Sequence, residues 1–312
     1  MTSKPAKAAV PLAVKIRNLS IFFFSVIGIL ILGIYIFICP YFHQDFYDLF
    51  VLHPFKYPHW FPIGDITGGI KGQAVSIPVQ RAGKQLNLSG IIYKHKSPRG
   101  LIIFCHGNTG PIDWRFGDER VKTMLAENMD VLIFDYEGYG RSSGKHSLQY
   151  LQDDSLAVYD YAIKLRYKPE NIIAYGESMG GGVACQLAQA REVKGLILEC
   201  TFMSTARVAK DLLPAAAIYP DFAFPTPRLD NLEYIKGEHP PCLILCGGRD
   251  ATIGSHHSLA LKDAGGANTQ LVMLPNSGHC ILMPEDKALY DGAYRKFLDG
   301  LFGDQGLSAN PQ

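Results

Sequence analysis

The chain has 312 residues, 47% hydrophobic and 19% charged, a composition that excludes a disordered, collagen-like or disulfide-stapled polypeptide. Thirty Lys and Arg against 29 Asp and Glu leave a net charge of +1, which offers nucleic acid no charged face to bind. The length suits one α/β domain of about 250 residues behind an N-terminal segment.

That segment begins with a tail, residues 1–18, carrying Lys4, Lys7, Lys15 and Arg17. Residues 19–39, from Leu19 to Cys39, form an apolar run without a charge, long enough to cross a hydrocarbon core of about 30 Å. The run exceeds the usual signal-peptide core of about 7–15 residues and gives way to Pro40, Tyr41 and Phe42 rather than to a small-residue cleavage site, so it reads as a retained transmembrane helix. Basic residues before it and Asp45 and Asp48 after it place the N-terminus in the cytosol and the remainder on the periplasmic, lumenal or extracellular side. The seven cysteines, an odd count without CxxC pairs, argue against a disulfide framework and against a zinc site. As free thiols they pull against an oxidising compartment.

Residues 40–69 make a connector rich in proline and aromatics, His53 to Trp60 above all. Proline excludes a regular helix there, and the aromatics suit either a membrane interface or packing on the domain edge. From residue 70 to 303 short apolar runs alternate with amphipathic stretches. Strands are predicted at Ala74–Val79, Leu86–Tyr93, Leu101–Cys105, Val131–Phe134, Ile172–Tyr175, Gly195–Leu198, Cys242–Cys246 and Gln270–Leu274. Helices are predicted around Arg115–Glu127, Leu148–Leu165, Met179–Arg191, His256–Ala264 and Pro284–Phe302. The order implies an eight-stranded, mostly parallel sheet with helices on both faces and an antiparallel start. Residues 201–238 are too long for a plain connection and read as a small cap over a pocket, with Leu212, Leu213 and Phe222 as its substrate-facing side chains, or as a surface insertion. Residues 304–312 read as a flexible tail.

Gly176-Glu177-Ser178-Met179-Gly180 lies between a predicted strand and a predicted helix. A nucleophile on so tight a turn needs glycines on both sides, and the helix N-terminus favours developing negative charge. A serine hydroxyl needs a base, and the base an orienting acid. His279 and Asp250 follow the last two predicted strands and suit those roles. The competing assignments are a surface histidine at 279, a helix N-cap at 250, and Glu199 as the acid. An oxyanion hole would take the Met179 N–H and, from the loop His106-Gly107-Asn108-Thr109-Gly110, the Asn108 N–H, with that of Thr109 as the alternative and His106 buttressing the loop.

The motifs HGNTG, FDYEGYGRS, GESMGG, GGRD and SGH, spread over residues 70–302, resemble the α/β-hydrolase superfamily. The resemblance is to its single-anchor branch, which includes the α/β-hydrolase domain-containing proteins 12, 13 and 17. It implies a serine hydrolase with Ser178, Asp250 and His279 as triad, acting on acyl esters or thioesters of lipid-like substrates at a membrane, with no cofactor and no metal. The chain departs from the pattern at Glu137, where relatives carry Arg, and at Cys246-Gly247, where they carry His-Gly before the acid. The other readings are a prolyl-peptidase-like serine peptidase and a non-catalytic binding protein on the same fold.

Overall fold

The eight apolar runs pair into one sheet in the order β1-β2-β4-β3-β5-β6-β7-β8. A computed structural model describes residues 11–43, 48, 51–56, 72–112 and 119–303. Lys4, Lys7, Asp45, the connector from residue 57 onward, the start of the 115–127 helix and the 304–312 tail lie outside them. The strands are β1 Gly72–Arg81, β2 Lys84–Tyr93, β3 Gly100–Cys105, β4 Met129–Phe134, β5 Ile172–Glu177, β6 Gly195–Glu199, β7 Cys242–Gly247 and β8 Thr269–Leu274. All eight fall where the apolar runs put them. β1 and β2 form a hairpin whose turn, Ala82-Gly83, has positive φ at both positions, as a tight right-twisted hairpin requires. β2 also runs antiparallel to β4, and every later pairing is parallel.

Among the described residues the α-helices include α1 Leu12–Phe37, α2 Glu119–Ala126, α3 Leu148–Lys164, α4 Met179–Ala190, α5 Thr205–Leu212, α6 Asn231–Lys236, α7 Ser255–Gly265 and α8 Lys287–Phe302. Central strands buried on both faces are apolar except at Asp130, Glu177 and Glu199, and their alternate side chains feed two cores. Leu101, Ile103 and Cys105 pack with Val158 of α3 and Val183 and Leu187 of α4 on one face. Ile102 and Phe104 pack with Met124 of α2 and Tyr290, Tyr294 and Phe297 of α8 on the other. Each such side chain contributes about 1.5–3 kcal/mol, so the carboxyl ends of β3 and β5–β8 are a rigid base for the loops that follow.

α1 has 26 residues and is therefore about 39 Å long. Its Ile16–Phe37 stretch is long and apolar enough to cross a membrane, and no residue of its most apolar window is buried. The helix starts earlier than the uncharged run and stops before Cys39. The cause is Pro40, which forces the residue before it into an extended conformation, and Cys39 has φ −62° and ψ 125°. At its far end α1 meets residues 201–238: the Tyr35 and Tyr219 rings stack at 4.6 Å, and Tyr219 Oη donates to the Tyr35 carbonyl at 2.8 Å. Residues 201–238 hold α5, two 3-10 turns and α6, short helices that the sequence pattern did not announce.

Candidate active site

Ser178 joins β5 to α4 with φ 54° and ψ −118°, backbone angles that an L residue adopts only when its surroundings impose them. Its N–H donates to the Glu199 carbonyl and its carbonyl accepts from Thr201 Oγ1, each at 2.8 Å. A Cβ on Gly176 would stand 2.3 Å from the Gly180 carbonyl oxygen, and one on Gly180 would stand 2.0 Å from that of Cys105. The two glycines let the turn close.

The structure brings three predicted residues together. His279 Nε2 lies 3.0 Å from Ser178 Oγ, and His279 Nδ1 lies 2.8 Å from Asp250 Oδ2. Asp250 follows β7 and His279 follows β8, so strand order alone delivers both to the end of β5. Asp250 Oδ1 accepts the Thr252 and Ile253 N–H groups, each at 2.8 Å, closing a turn; α7 begins later, with Gly254 as its N-cap. Burial pushes the Asp250 carboxyl up, but His279 and the two amides outweigh it and hold the group below the usual carboxylate value. An ionised Asp250 assigns the ring proton to Nδ1, which leaves the Nε2 lone pair facing the serine hydroxyl.

Glu199, the competing acid, is committed elsewhere. It is buried, with Oε1 accepting from Arg120 Nε at 2.8 Å and Oε2 accepting from the hydroxyls of Tyr175 at 2.8 Å and Tyr290 at 2.9 Å. Arg120 Nη2 continues to the Cys280 carbonyl at 2.5 Å, so this network braces the His279 loop from below. Asp286 braces it from the side, accepting from Ser277 Oγ at 2.7 Å and the Asn276 N–H at 2.8 Å. Sequence reasoning missed Arg120. Its partners are 79 and 160 residues away, and no local pattern marks it.

Met179 opens α4, where the first N–H groups have no partner within the helix. Gly107 is pressed against the serine turn: a Cβ there would meet Glu177 Oε1 at 3.0 Å and Ser178 Cβ at 3.4 Å. Asn108 follows it. His106 Nδ1 lies 2.7 Å from the Gly107 carbonyl, and its ring lies 4.5 Å from that of Tyr136, as a buttress would.

Ser178, Met179, His279, Gly107 and Asn108 line a cavity of about 530 Å³ whose walls include Phe202, Val208, Leu212 and Ile253, with Val51 and His53 from the connector. Of the three residues expected to face substrate, only Leu212 lines it. α5 ends at Leu212, and Leu213 turns extended with φ −129° and ψ 90°, which sends its side chain into a neighbouring cavity beside Phe37 and Ile38. Phe222 is 74% exposed and lines neither cavity. It lies in the 3-10 turn Asp221–Ala223, whose Asp221 is tied to Arg207 and Lys210.

Residues 96–239 match a family model described as serine aminopeptidase, S33. An uncharacterized protein of Mycobacterium tuberculosis is 31% identical over 224 residues, 68% of this chain and 75% of its own length. The chain belongs to the α/β-hydrolase superfamily. This α/β-hydrolase is also 31% identical over 194 residues to α/β-hydrolase domain-containing protein 17C of Xenopus tropicalis, covering 61% of the chain and 60% of that protein. The likeness to α/β-hydrolase domain-containing protein 17 read from the motifs therefore holds. Among solved structures, a Pyrococcus furiosus esterase superposes with a TM-score of 0.61 at 19% identity, over 81% of this chain and 99% of that one. Est1E of Butyrivibrio proteoclasticus, with ferulic acid bound, superposes with a TM-score of 0.57 at 21% identity, over 72% and 98%. At those identities the likeness is one of fold.

Proposed function

We propose that this α/β-hydrolase is a single-pass, membrane-anchored serine hydrolase that cleaves carboxylic- or thio-ester bonds of lipid-like acyl substrates. The observation that carries the reading is the hydrogen-bonded series Ser178 Oγ, His279, Asp250, with separations of 3.0 and 2.8 Å, in an apolar-walled cavity. Ser178 attacks the acyl carbon while His279 Nε2 takes its proton; Asp250 stabilises the imidazolium, and the proton passes to the leaving oxygen or sulfur. The acyl-enzyme is then hydrolysed by water activated by the same imidazole. The Met179 and Asn108 N–H groups take the oxyanion, and the α4 N-terminus adds a favourable dipole. In this reading residues 19–39 anchor the domain and residues 201–238 cap the site. α1 carries Phe22, Ile29 and Leu30 each at least 60% exposed, a surface suited to lipid. The charge rule puts the tail in the cytosol and the catalytic domain on the opposite side.

Peptide hydrolysis is the second reading, favoured by the description of the matching family model. Labelling with a fluorophosphonate, followed by rates on p-nitrophenyl esters, acyl-thioesters and aminoacyl anilides, tests both. The expected result is labelling that disappears in Ser178→Ala and ester or thioester turnover far above anilide turnover. No labelling of the folded chain would return it to the non-catalytic binding proteins of this fold. Faster anilides would make it a peptidase.

A further inference from the structure

Two clusters of metal-ligating side chains occur among the described residues. In the first, Asp211 lies beside His256 and His257. His257 Nδ1 accepts the Met203 N–H at 3.2 Å, so its neutral ring carries the proton on Nε2, the atom that faces Asp211 at 2.9 Å. That nitrogen has no lone pair to give. In the second, the sulfurs of Cys200 and Cys280 and a ring nitrogen of His279 lie within 4.8 Å of one another. Here the tautomer runs the other way, because Asp250 holds the proton on Nδ1 and Nε2 keeps its lone pair.

We propose that Cys200, His279 and Cys280 form an inhibitory site for a soft divalent cation, Zn²⁺ foremost, which takes His279 Nε2 away from Ser178. The inhibition, though not the binding, rests on the reading of His279 as the catalytic base. Two thiolates and an imidazole are the donor set that selects zinc over magnesium or calcium. Tetrahedral bonds of about 2.3 Å to sulfur and about 2.0–2.1 Å to nitrogen separate the donors by about 3.5–3.8 Å, so from separations within 4.8 Å the cluster must contract by about 1.3 Å at most. The ring is already oriented for a metal, since Asp250 on the far ring nitrogen completes a carboxylate–histidine–metal arrangement. The Cys200 sulfur is also pre-positioned, since Cys200 Sγ accepts the Cys280 N–H at 3.4 Å. His279 and Cys280 border the cavity, which supplies an entry path and a fourth position for water. Binding exchanges the two thiol protons for the metal, two protons leaving to solvent per Zn²⁺ bound, and the resulting dithiolate site carries no net charge. With its lone pair coordinated, His279 has nothing to accept the serine proton. The ion is an off-switch, not a cofactor.

The test uses the full chain in detergent, with ZnCl₂ against MgCl₂ during ester hydrolysis, and separately CdCl₂ followed by the ultraviolet thiolate-to-cadmium absorption, which needs no activity. Zinc is expected to stop turnover and chelator to restore it, with magnesium inert. Cys200→Ser should keep its turnover while needing at least about tenfold more zinc for inhibition. The cadmium absorption should appear in the wild type and in Ser178→Ala, and be lost in Cys200→Ser and in Cys280→Ser, each checked for folding by its melting transition. A wild type without the absorption overturns the proposal, as does zinc inhibition undiminished in both cysteine variants. Absence of hydrolysis together with an intact cadmium absorption overturns the hydrolase reading and leaves the site standing.

Discussion

His53 and Asn108, 55 residues apart, are joined by two hydrogen bonds: the His53 N–H donates to Asn108 Oδ1 and Asn108 Nδ2 donates to His53 Nδ1, each at 2.8 Å. Asn108 Nδ2 also donates to the Val51 carbonyl, and Tyr139 Oη donates to Asn108 Oδ1 at 3.0 Å. The connector thus grips, by its side chain, the residue proposed to supply a backbone donor to the oxyanion. Asn108→Ala is expected to lower kcat by about ten- to a hundredfold, the scale of a small misplacement of a catalytic group, with KM little changed. Steady-state kinetics check it; a rise in KM alone would mean that Asn108 touches substrate rather than positioning the loop.

Asp250 and Glu199 should separate cleanly. Asp250→Asn is expected to cut kcat by about 10⁴ through the wrong ring tautomer while the melting temperature barely moves. Glu199→Gln removes the nearer of the two buried carboxylates that face Arg120, leaving Glu177 Oε2 at 3.8 Å, and should cost up to about 3–5 kcal/mol of stability, with a far smaller rate loss in the folded fraction. Urea titration beside turnover numbers reads both, and the reverse ranking would make Glu199 the orienting acid.

The cavity walls predict a chain-length dependence. Each buried CH₂ adds up to about 0.8 kcal/mol, about fourfold in kcat/KM, until the cavity is full. Leu212→Gln should flatten that rise, whereas Phe222→Gln, at a position outside the cavity, should leave it intact. A series of p-nitrophenyl esters measures the slopes. The assignment of the walls fails if the two variants behave alike, or if acetyl and butyryl esters are already best.

Asp154 gives stability a pH dependence. Burial pushes its carboxyl up to about 7 from an ordinary 3.8, against the opposing pull of the Glu137 N–H and Arg81. The folded chain therefore keeps a proton that the unfolded chain releases. The contribution is complete below 3.8 and is lost as pH rises through about 7, with a slope of up to about 1.4 kcal/mol per pH unit. Asp154→Asn, always neutral, should gain on the wild type in melting temperature between about pH 5 and pH 8. A difference that stays constant over that range would contradict the shift.

The strands were legible because a parallel strand buried on both faces is a short continuous apolar run, as Leu101–Cys105 and Cys242–Cys246 are. The serine turn was legible because its steric demand is local and falls on Gly176 and Gly180. The meeting of Asp250 and His279 with Ser178 follows from strand order. What escaped depends on side-chain direction or on distant partners. Leu212 and Leu213 diverge because a helix ends between them, and Phe222 sits on a turn set by ion pairs. Glu137, in the loop after β4, is paired with Arg81 at the end of β1, whose Nε donates to Glu137 Oε1 at 2.7 Å. No local motif records a partner 56 residues away.

The stacked Tyr35 and Tyr219 rings, with the hydrogen bond from Tyr219 Oη to the Tyr35 carbonyl, act as a key in a slot. Successive residues of a helix are rotated by about 100°, so only one azimuth of α1 brings Tyr35 to Tyr219. The long apolar helix is therefore indexed to the domain, not merely attached to it. A single apolar residue inserted between Tyr35 and Cys39 would lengthen the helix by only about 1.5 Å yet turn the key by more than a quarter revolution, unseating Tyr219 and Ile218 from the helix that Tyr35 ties them to.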